Sequence, residues 1–294
     1  MESLVMKKHL PQVLIVLILI AGLSLLLYPT VSDYINSLNH RNAISEYTST
    51  VESIPIENRE ELLAAALKYN EELVAIGTGS LVNLSDDRRA LYNSLLNVSG
   101  NGIMGYINIP AINVSLPIYH GVEDTVLQVG IGHLEGSSLP VGGESAHSVL
   151  SGHTGLPSAT LFTNIDRLVP GDIFTIHILG ETFTYEVDQI ETVLPNELNA
   201  LSIEYGKDYC TLVTCTPYGI NTHRLLVRGH RIENLPEKVE SVVELVHTIC
   251  TPIPVYIIVA VAEIPVLPIF FIIFIIRKIK QKSGKNDEIM EGSL

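Results

Sequence analysis

The sequence predicts a mainly β domain, a closed or nearly closed barrel, preceded by a helical region and flanked by two transmembrane helices. Three observations point there. From residue 103 onward, short apolar runs alternate with Gly, Pro and Asn, the pattern of many short strands joined by turns rather than of a parallel sheet. Across residues 31–96, Leu62, Leu63, Ala66, Leu67, Leu73 and Val74 recur at helical spacing. Two apolar stretches lie near the ends of the 294-residue chain. The roughly 220 residues between them can bury a sizeable core without disulfide staples.

Residues 1–9 read as a cytoplasmic N-terminus carrying Lys7 and Lys8, and 10–28 as a transmembrane helix, close to the ~20 residues that span a bilayer. No small-x-small cleavage site follows, so an uncleaved anchor is expected. Residues 29–100 read as extracytoplasmic and helical, with Glu60 and Glu61 in the first turn of one helix. A shorter helix starts at Ser85, an N-cap followed by Asp86 and Asp87, and carries Leu91, Leu95 and Leu96 on one face. Gly100-Asn101-Gly102 ends it.

The barrel is placed at 101–235. Its strands are expected at 103–109, 112–119, 146–151, 172–179, 182–191, 209–215 and 223–231, with short helical turns near 123–128 and 158–166. Phe183, Tyr185 and Val187 alternate with Thr184, Glu186 and Asp188, and Leu179-Gly180-Glu181-Thr182 reads as a tight hairpin. A juxtamembrane segment, 236–251, leads to a second transmembrane helix at 252–276, whose Glu263 is costly in a bilayer unless neutral or partnered. Residues 277–294 form a basic cytoplasmic tail with Arg277, Lys278, Lys280, Lys282 and Lys285. By the positive-inside rule both ends are cytoplasmic, which puts the middle on the extracytoplasmic face.

The net charge is −14, and residues 29–250 hold 27 Asp+Glu against 11 Lys+Arg, a difference of −16. No basic run interleaved with aromatics occurs outside the membrane flanks, which argues against a nucleic-acid partner. The acidity reads as a solubility feature. Neither H-E-x-x-H nor paired C-x-x-C occurs, so no metal or cofactor is expected. The cysteines are Cys210, Cys215 and Cys250. The first two lie five apart on one predicted strand, on opposite faces and ~16 Å apart, which is too far for a bridge. At least one thiol is therefore free.

Chemistry concentrates in two places. An apolar strand ends at Cys215; a loop with Pro217 and Gly219 follows, and a second strand begins at His223-Arg224. An antiparallel return would bring Arg224 beside Cys215, an electropositive and partly open setting that stabilises a thiolate. In Ser151-Gly152-His153-Thr154-Gly155, the glycines let the chain turn at a strand end and expose the imidazole. A cysteine nucleophile needs such a base. Cys210 reads as core. His133, His147, His223 and His230 read as structural or surface groups, and Arg228 and Arg231 as salt-bridge partners on the barrel.

These segments resemble the sortase family: the strand Thr-Leu-Val-Thr-Cys at 211–215, the Arg nine residues on, and the His of Ser-Gly-His at 151–153. The longer stretches GIGHLEGSSLPVGGESAHSVLSGHTGLPSATLF (130–162) and VTCTPYGINTHRLLVRGHRI (213–232) resemble its pilus-assembling class C subgroup. So does an apolar segment after the core as well as before it. The resemblance implies a closed eight-stranded β-barrel of the sortase type. It implies a cysteine transpeptidase that cleaves a Leu-Pro-x-Thr-Gly-like sorting signal between Thr and Gly through a thioacyl-enzyme. The acyl group then passes to an amine, a lysine of another pilin. Carried onto this chain, Cys215 is the nucleophile, and His153 the acid to the leaving amine and base to the incoming one. Arg224 holds the substrate backbone or the oxyanion, and Thr214 lines the substrate site. The implied partners are pilins bearing sorting signals, together with the membrane. The alternatives are the same chemistry with a cell-wall peptide as acceptor, and a non-catalytic membrane scaffold of this fold. Class C members carry a lid anchored by Asp-Pro-aromatic. Residues 81–96 lack that motif, so a short, altered or absent lid is expected, with Asp86 and Asp87 serving the helix N-terminus rather than pairing with Arg224.

Overall fold

The computed structural model describes residues 2–76, 81 and 84–234. The second predicted span, the segment before it, the basic tail, Cys250 and Glu263 lie outside the described residues. Helix α1 (Glu2–Ser53) is the one described helix long and apolar enough to cross a membrane; its most apolar window has a mean hydropathy of 2.5 and none of it is buried. Residues up to Leu27 belong to one compact unit, and Tyr28 opens a second that contains the rest of α1 and the barrel.

Within that second unit the helices are fastened to the barrel by buried polar bonds as well as apolar contact. Tyr47 of α1 donates its hydroxyl to the Met104 carbonyl (2.9 Å) and accepts from the Leu179 N–H (3.0 Å). Burial pushes this phenol up to about 12. Helix α2 (Ile56–Ile76) buries Ala66, Tyr69, Asn70 and Leu73, a stripe at i, i+3, i+4 and i+7. Asn70 serves both backbone groups of Leu139, accepting its N–H at 2.7 Å and donating to its carbonyl at 3.0 Å.

Helix α3 (Asp86–Ser94) starts where expected, but Ser85 makes no side-chain cap bond. Of the leucines expected inside, Leu95 and Leu96 are buried just past the helix end, and the difference lies at Leu91 and Tyr92. Leu91 is 43% exposed and Tyr92 only 1%, because Tyr92 can bury its ring and still satisfy its hydroxyl. That oxygen meets His133 Nδ1 at 3.0 Å, donates to the His133 carbonyl and accepts the Gly121 N–H. The helix stops at Ser94, before the glycines, where Leu96 takes φ 60°.

The strands are β1 (Ile103–Ile109), β2 (Val114–His120), β3 (Ile131–His133), β4 (Ala146–Ser151), β5 (Ile173–Ile178), β6 (Glu181–Val193), β7 (Asp208–Thr216) and β8 (His223–Ile232). They close into an eight-stranded barrel in the order β1-β2-β3-β4-β7-β8-β6-β5. Two ladders are parallel, β2 with β3 and β4 with β7; the others are antiparallel. β3, three residues long, had no place among the expected strands. The helical turn expected over 158–166 shrinks to Ile165–Arg167, whereas α4 (Asp124–Leu127) falls inside 123–128. The β5–β6 hairpin is tight: Ile178 pairs with Glu181, and both loop residues, Leu179 and Gly180, have positive φ (53° and 87°). That is the turn whose twist matches the flanking strands.

Candidate active site

The site is built around β7, which pairs with β8 on one side and β4 on the other. On the β8 side, Thr214 pairs with Leu225, Cys215 with Arg224 and Thr216 with His223. Residues directly opposed in an antiparallel pair project to the same face, so Cys215 and Arg224 share one. The loop between them is a compact turn in which the Ile220 and Asn221 N–H groups both donate to the Pro217 carbonyl, at 3.0 and 2.9 Å. The Arg224 guanidinium donates to the Asn221 (3.4 Å) and His223 (3.1 Å) carbonyls.

That face is the outside of the barrel. Cys210 and Leu212 of β7, and Leu225 and Val227 of β8, belong to the main core. The alternate residues Val213 and Leu226 pack instead in a second cluster with Val149 and Leu201. Cys215 and Arg224 follow the alternation of this second set. Cys210, on the opposite face, is fully buried, and burial pushes its thiol well above the usual range.

On the β4 side the pairing is parallel with a constant offset, Ala146 opposite Asp208 and Ser151 opposite Val213. The Gly152 N–H donates to the Val213 carbonyl at 3.0 Å, carrying the contact one step past β4. Continued for two residues beyond the last pair, the same offset would set His153 opposite Cys215. The chain narrows there for a steric reason: a Cβ on Gly152 would sit 2.7 Å from Ile131 Cδ1 and 2.8 Å from the Phe162 ring. Thr214 donates its hydroxyl to the Gly152 carbonyl (2.7 Å), and the His153 carbonyl accepts the Phe162 N–H (3.2 Å). The strand ends thus bring Cys215, Arg224 and the His153 segment to one rim. Thr214, expected to line the substrate site, does something else. It is 4% exposed and points away from Cys215, because neighbouring residues on a strand face opposite ways. Its hydroxyl is committed to the backbone that carries His153.

Leu81 packs against the outer cluster, whereas α3 docks elsewhere, through Tyr92 on His133 and Arg89 on Glu135 (2.6 Å). Asp86 pairs with Arg89 at 3.7 Å. Arg228 makes the expected salt bridge, bidentate to Asp188 at 2.9 and 3.0 Å, and also covers the Tyr209 ring at 4.2 Å. Arg231 lies over the Phe183 ring at 5.0 Å and donates to the Thr184 carbonyl at 3.3 Å. Among the described residues no group of three His, Cys, Asp or Glu could hold a metal ion.

Two features of the site escaped the sequence reading. The wall formed by Leu198, Ala200 and Leu201 lies in the β6–β7 connection, where no periodicity marks it. Tyr218 of the loop after Cys215 abuts Gly155, φ +71°, where a Cβ would come within 3.0 Å of the ring. The glycines flanking His153 were legible as a turn, but the tyrosine against Gly155, 63 positions on, was not.

Comparison with known proteins gives a consistent result. Residues 107–232 match the family described as the sortase domain. Sortase D of Bacillus subtilis (strain 168) is 30% identical over 131 residues, 44% of this chain and 63% of that protein, so less than two thirds of the relative's length is spanned. The crystal structure of sortase C1 from Streptococcus agalactiae is 52% identical with a TM-score of 0.64, covering 66% of this chain and 100% of that one. Sortase C-1 from Actinomyces oris is 45% identical with a TM-score of 0.56, covering 60% of this chain and 99% of that one.

Proposed function

Because the chain belongs to the sortase family, with class C sortases among its solved neighbours, we propose that it is a membrane-anchored transpeptidase that joins pilin subunits. The observation that carries the reading is the pairing of Cys215 with Arg224 across the β7–β8 ladder, and the bond from the Gly152 N–H to the Val213 carbonyl, next to His153, supports it.

In the first half-reaction the Cys215 sulfur attacks the carbonyl carbon between Thr and Gly of a Leu-Pro-x-Thr-Gly-like signal. The tetrahedral oxyanion is met by the Arg224 guanidinium. His153 delivers a proton to the Gly nitrogen, the C–N bond breaks, and a thioacyl-enzyme remains on Cys215. In the second, a lysine amine of another pilin attacks the thioester carbon, His153 takes the proton, and the Cys215 thiolate leaves as the isopeptide bond forms. The imidazole thus ends each cycle in the protonation state in which it began. Thr214 acts one step removed, holding the backbone that carries His153. The outer apolar cluster of Val149, Val213, Leu226 and Leu201 lies on the face of the sheet that Cys215 shares, and this reading assigns that face to the Leu and Pro of the signal. The apolar helix α1 supports membrane attachment. The reading places 10–28 and 252–276 across the bilayer and the barrel on the outer side.

Mass spectrometry of the enzyme incubated with a Leu-Pro-x-Thr-Gly peptide tests the reading. The expected result is an acyl adduct on Cys215 that a pilin-derived lysine peptide discharges. Absence of any adduct rejects transpeptidation, and discharge only by a wall-type peptide amine moves the acceptor to the cell wall.

A further inference from the structure

The connection between β6 and β7, residues 194–207, supplies one wall of the outer apolar face through Leu198, Ala200 and Leu201. A cavity of about 460 Å³ lies between the connection and the sheet, with Glu197, Asn199 and Ala200 on the loop side and Glu191, Val193 and Leu226 on the sheet side. Around this cavity, polar links add to the apolar contacts of Leu198, Ala200 and Leu201 in placing the loop.

The end of the connection is tied by the Gly206 N–H on Ser145 Oγ (2.8 Å) and the Ala146 N–H on the Lys207 carbonyl (2.9 Å), and two further links lie closer to the wall. His147 of β4 meets the Ser202 carbonyl with Nδ1 at 2.8 Å and the Thr211 hydroxyl with Nε2 at 2.7 Å. Arg228, already bidentate on Asp188, reaches Glu204 at 3.6 Å. The second is the weaker, because the Glu204 side chain is 55% exposed and exposed pairs contribute little. The first is buried, His147 and Thr211 each being 1% exposed. A carbonyl only accepts, so Nδ1 carries the proton, and Nε2 accepts from the Thr211 hydroxyl. The ring has an edge-on neighbour in Tyr209 at 5.6 Å, so it cannot swing away from Ser202 without disturbing β7.

We propose that His147 is a positioning residue that latches the β6–β7 wall at Ser202 and so holds that wall against Val149, Val213 and Leu226, on the face of the sheet that Cys215 shares. That this face meets the acyl side of the sorting signal is part of the transpeptidase reading, so the functional part of the proposal depends on that reading.

His147→Asn and His147→Gln, made in the full chain, separate latching from mere packing. Asparagine places an N–H near the position of Nδ1 and glutamine near that of Nε2, so only asparagine keeps the Ser202 link. His147→Gln is expected to raise KM for a Leu-Pro-x-Thr-Gly peptide about tenfold, the effect of one buried hydrogen bond. Its kcat should fall less than its KM rises, and amide hydrogen exchange across 198–204 should speed up. His147→Asn should stay within about twofold of the parent on KM and show parental exchange. Equal KM in the two variants, or parental exchange in His147→Gln, overturns the proposal. Exchange needs no turnover. A parent enzyme that never acylates would therefore reject the transpeptidase reading, while the exchange data still decided the latch.

Discussion

Thr214→Val removes a single hydroxyl from beneath the site while keeping the branched shape of the side chain. The bond it deletes is short, 2.7 Å, and comes from a residue only 4% exposed. Its acceptor, the Gly152 carbonyl, belongs to a buried residue, so water does not readily replace the donor. A buried acceptor left unsatisfied costs about 1–3 kcal/mol, and in a domain of this size each kcal/mol lowers Tm by roughly 2–4 °C. The segment keeps two other tethers, Gly152 N–H to Val213 and Phe162 N–H to the His153 carbonyl. The expected result is therefore a looser His153 rather than an unfolded protein. An error of about 1 Å in a reacting group costs on the order of a hundredfold. The variant should accordingly lose roughly ten- to a hundredfold in kcat/KM for peptide transfer, mostly in kcat, and Thr214→Ser should restore it. Thermal melts and initial rates of transfer from a Leu-Pro-x-Thr-Gly peptide measure both effects. A variant that melts early yet transfers at the parental rate refutes the link between Thr214 and His153. A variant unchanged in both refutes the bond itself.

Three further outcomes follow from the same geometry. Arg224→Ala should lower kcat by roughly a hundred- to a thousandfold, the usual effect of losing an oxyanion donor, in single-turnover acylation followed by mass; acylation at the parental rate would remove Arg224 from the chemistry. Iodoacetamide labelling read by peptide mapping should modify Cys215 far faster than Cys210, whose thiol burial holds protonated; comparable labelling of the two would contradict the assigned faces of β7. Stability should fall in acid because burial lowers His133 from 6.5 to about 4. Between those two values the unfolded chain takes up a proton that the folded chain refuses. The stabilisation is therefore complete above about 6.5 and lost as pH falls towards about 4, by ~3 kcal/mol at 1.36 per pH unit. Urea midpoints that match at pH 7 and pH 4.5 would contradict the burial of His133 as a neutral ring.

The strands that carry chemistry were the easiest to read in the sequence, and their neighbours the hardest. β1, β4, β7 and β8 each contain an uninterrupted apolar run or a clear alternation, and their expected ends lie within a residue of the observed ones. β3 was invisible because three residues cannot express a period of two. Its role as the bridge between β2 and β4 depends on contacts far away in the chain. Leu95 and Leu96 are buried as expected, but Tyr92 rather than Leu91 is the buried residue inside α3, for a related reason. Hydrophobicity favours Leu91, but Tyr92 is buried because it completes a polar cluster with His133 and Gly121, a partnership no local pattern encodes. The wall at 198–201 and its tie to His147 were hidden in the same way, since a loop residue that packs only against distant strands leaves no periodic trace.

Register is what turns these strands into a site. β7 is read by both neighbours at once, parallel on β4 and antiparallel on β8, and a slip of one residue would turn every side chain of a strand to the other face. Such a slip would put Cys215 among the core residues and bring Thr214 outside, away from the Gly152 carbonyl. The core resists it from several directions: Cys210, Leu212 and Val227 are 0% exposed, and His147 and Thr211 hold each other at 2.7 Å on the outer side. Each of these contacts is correct in only one register. The apolar alternation that stabilises the barrel therefore also sets which face Cys215 and Arg224 take. It follows that core substitutions in β7 which loosen register should harm reactivity at Cys215 before they unfold the domain, while equally destabilising substitutions in β5, remote from β7 in the strand order, should not.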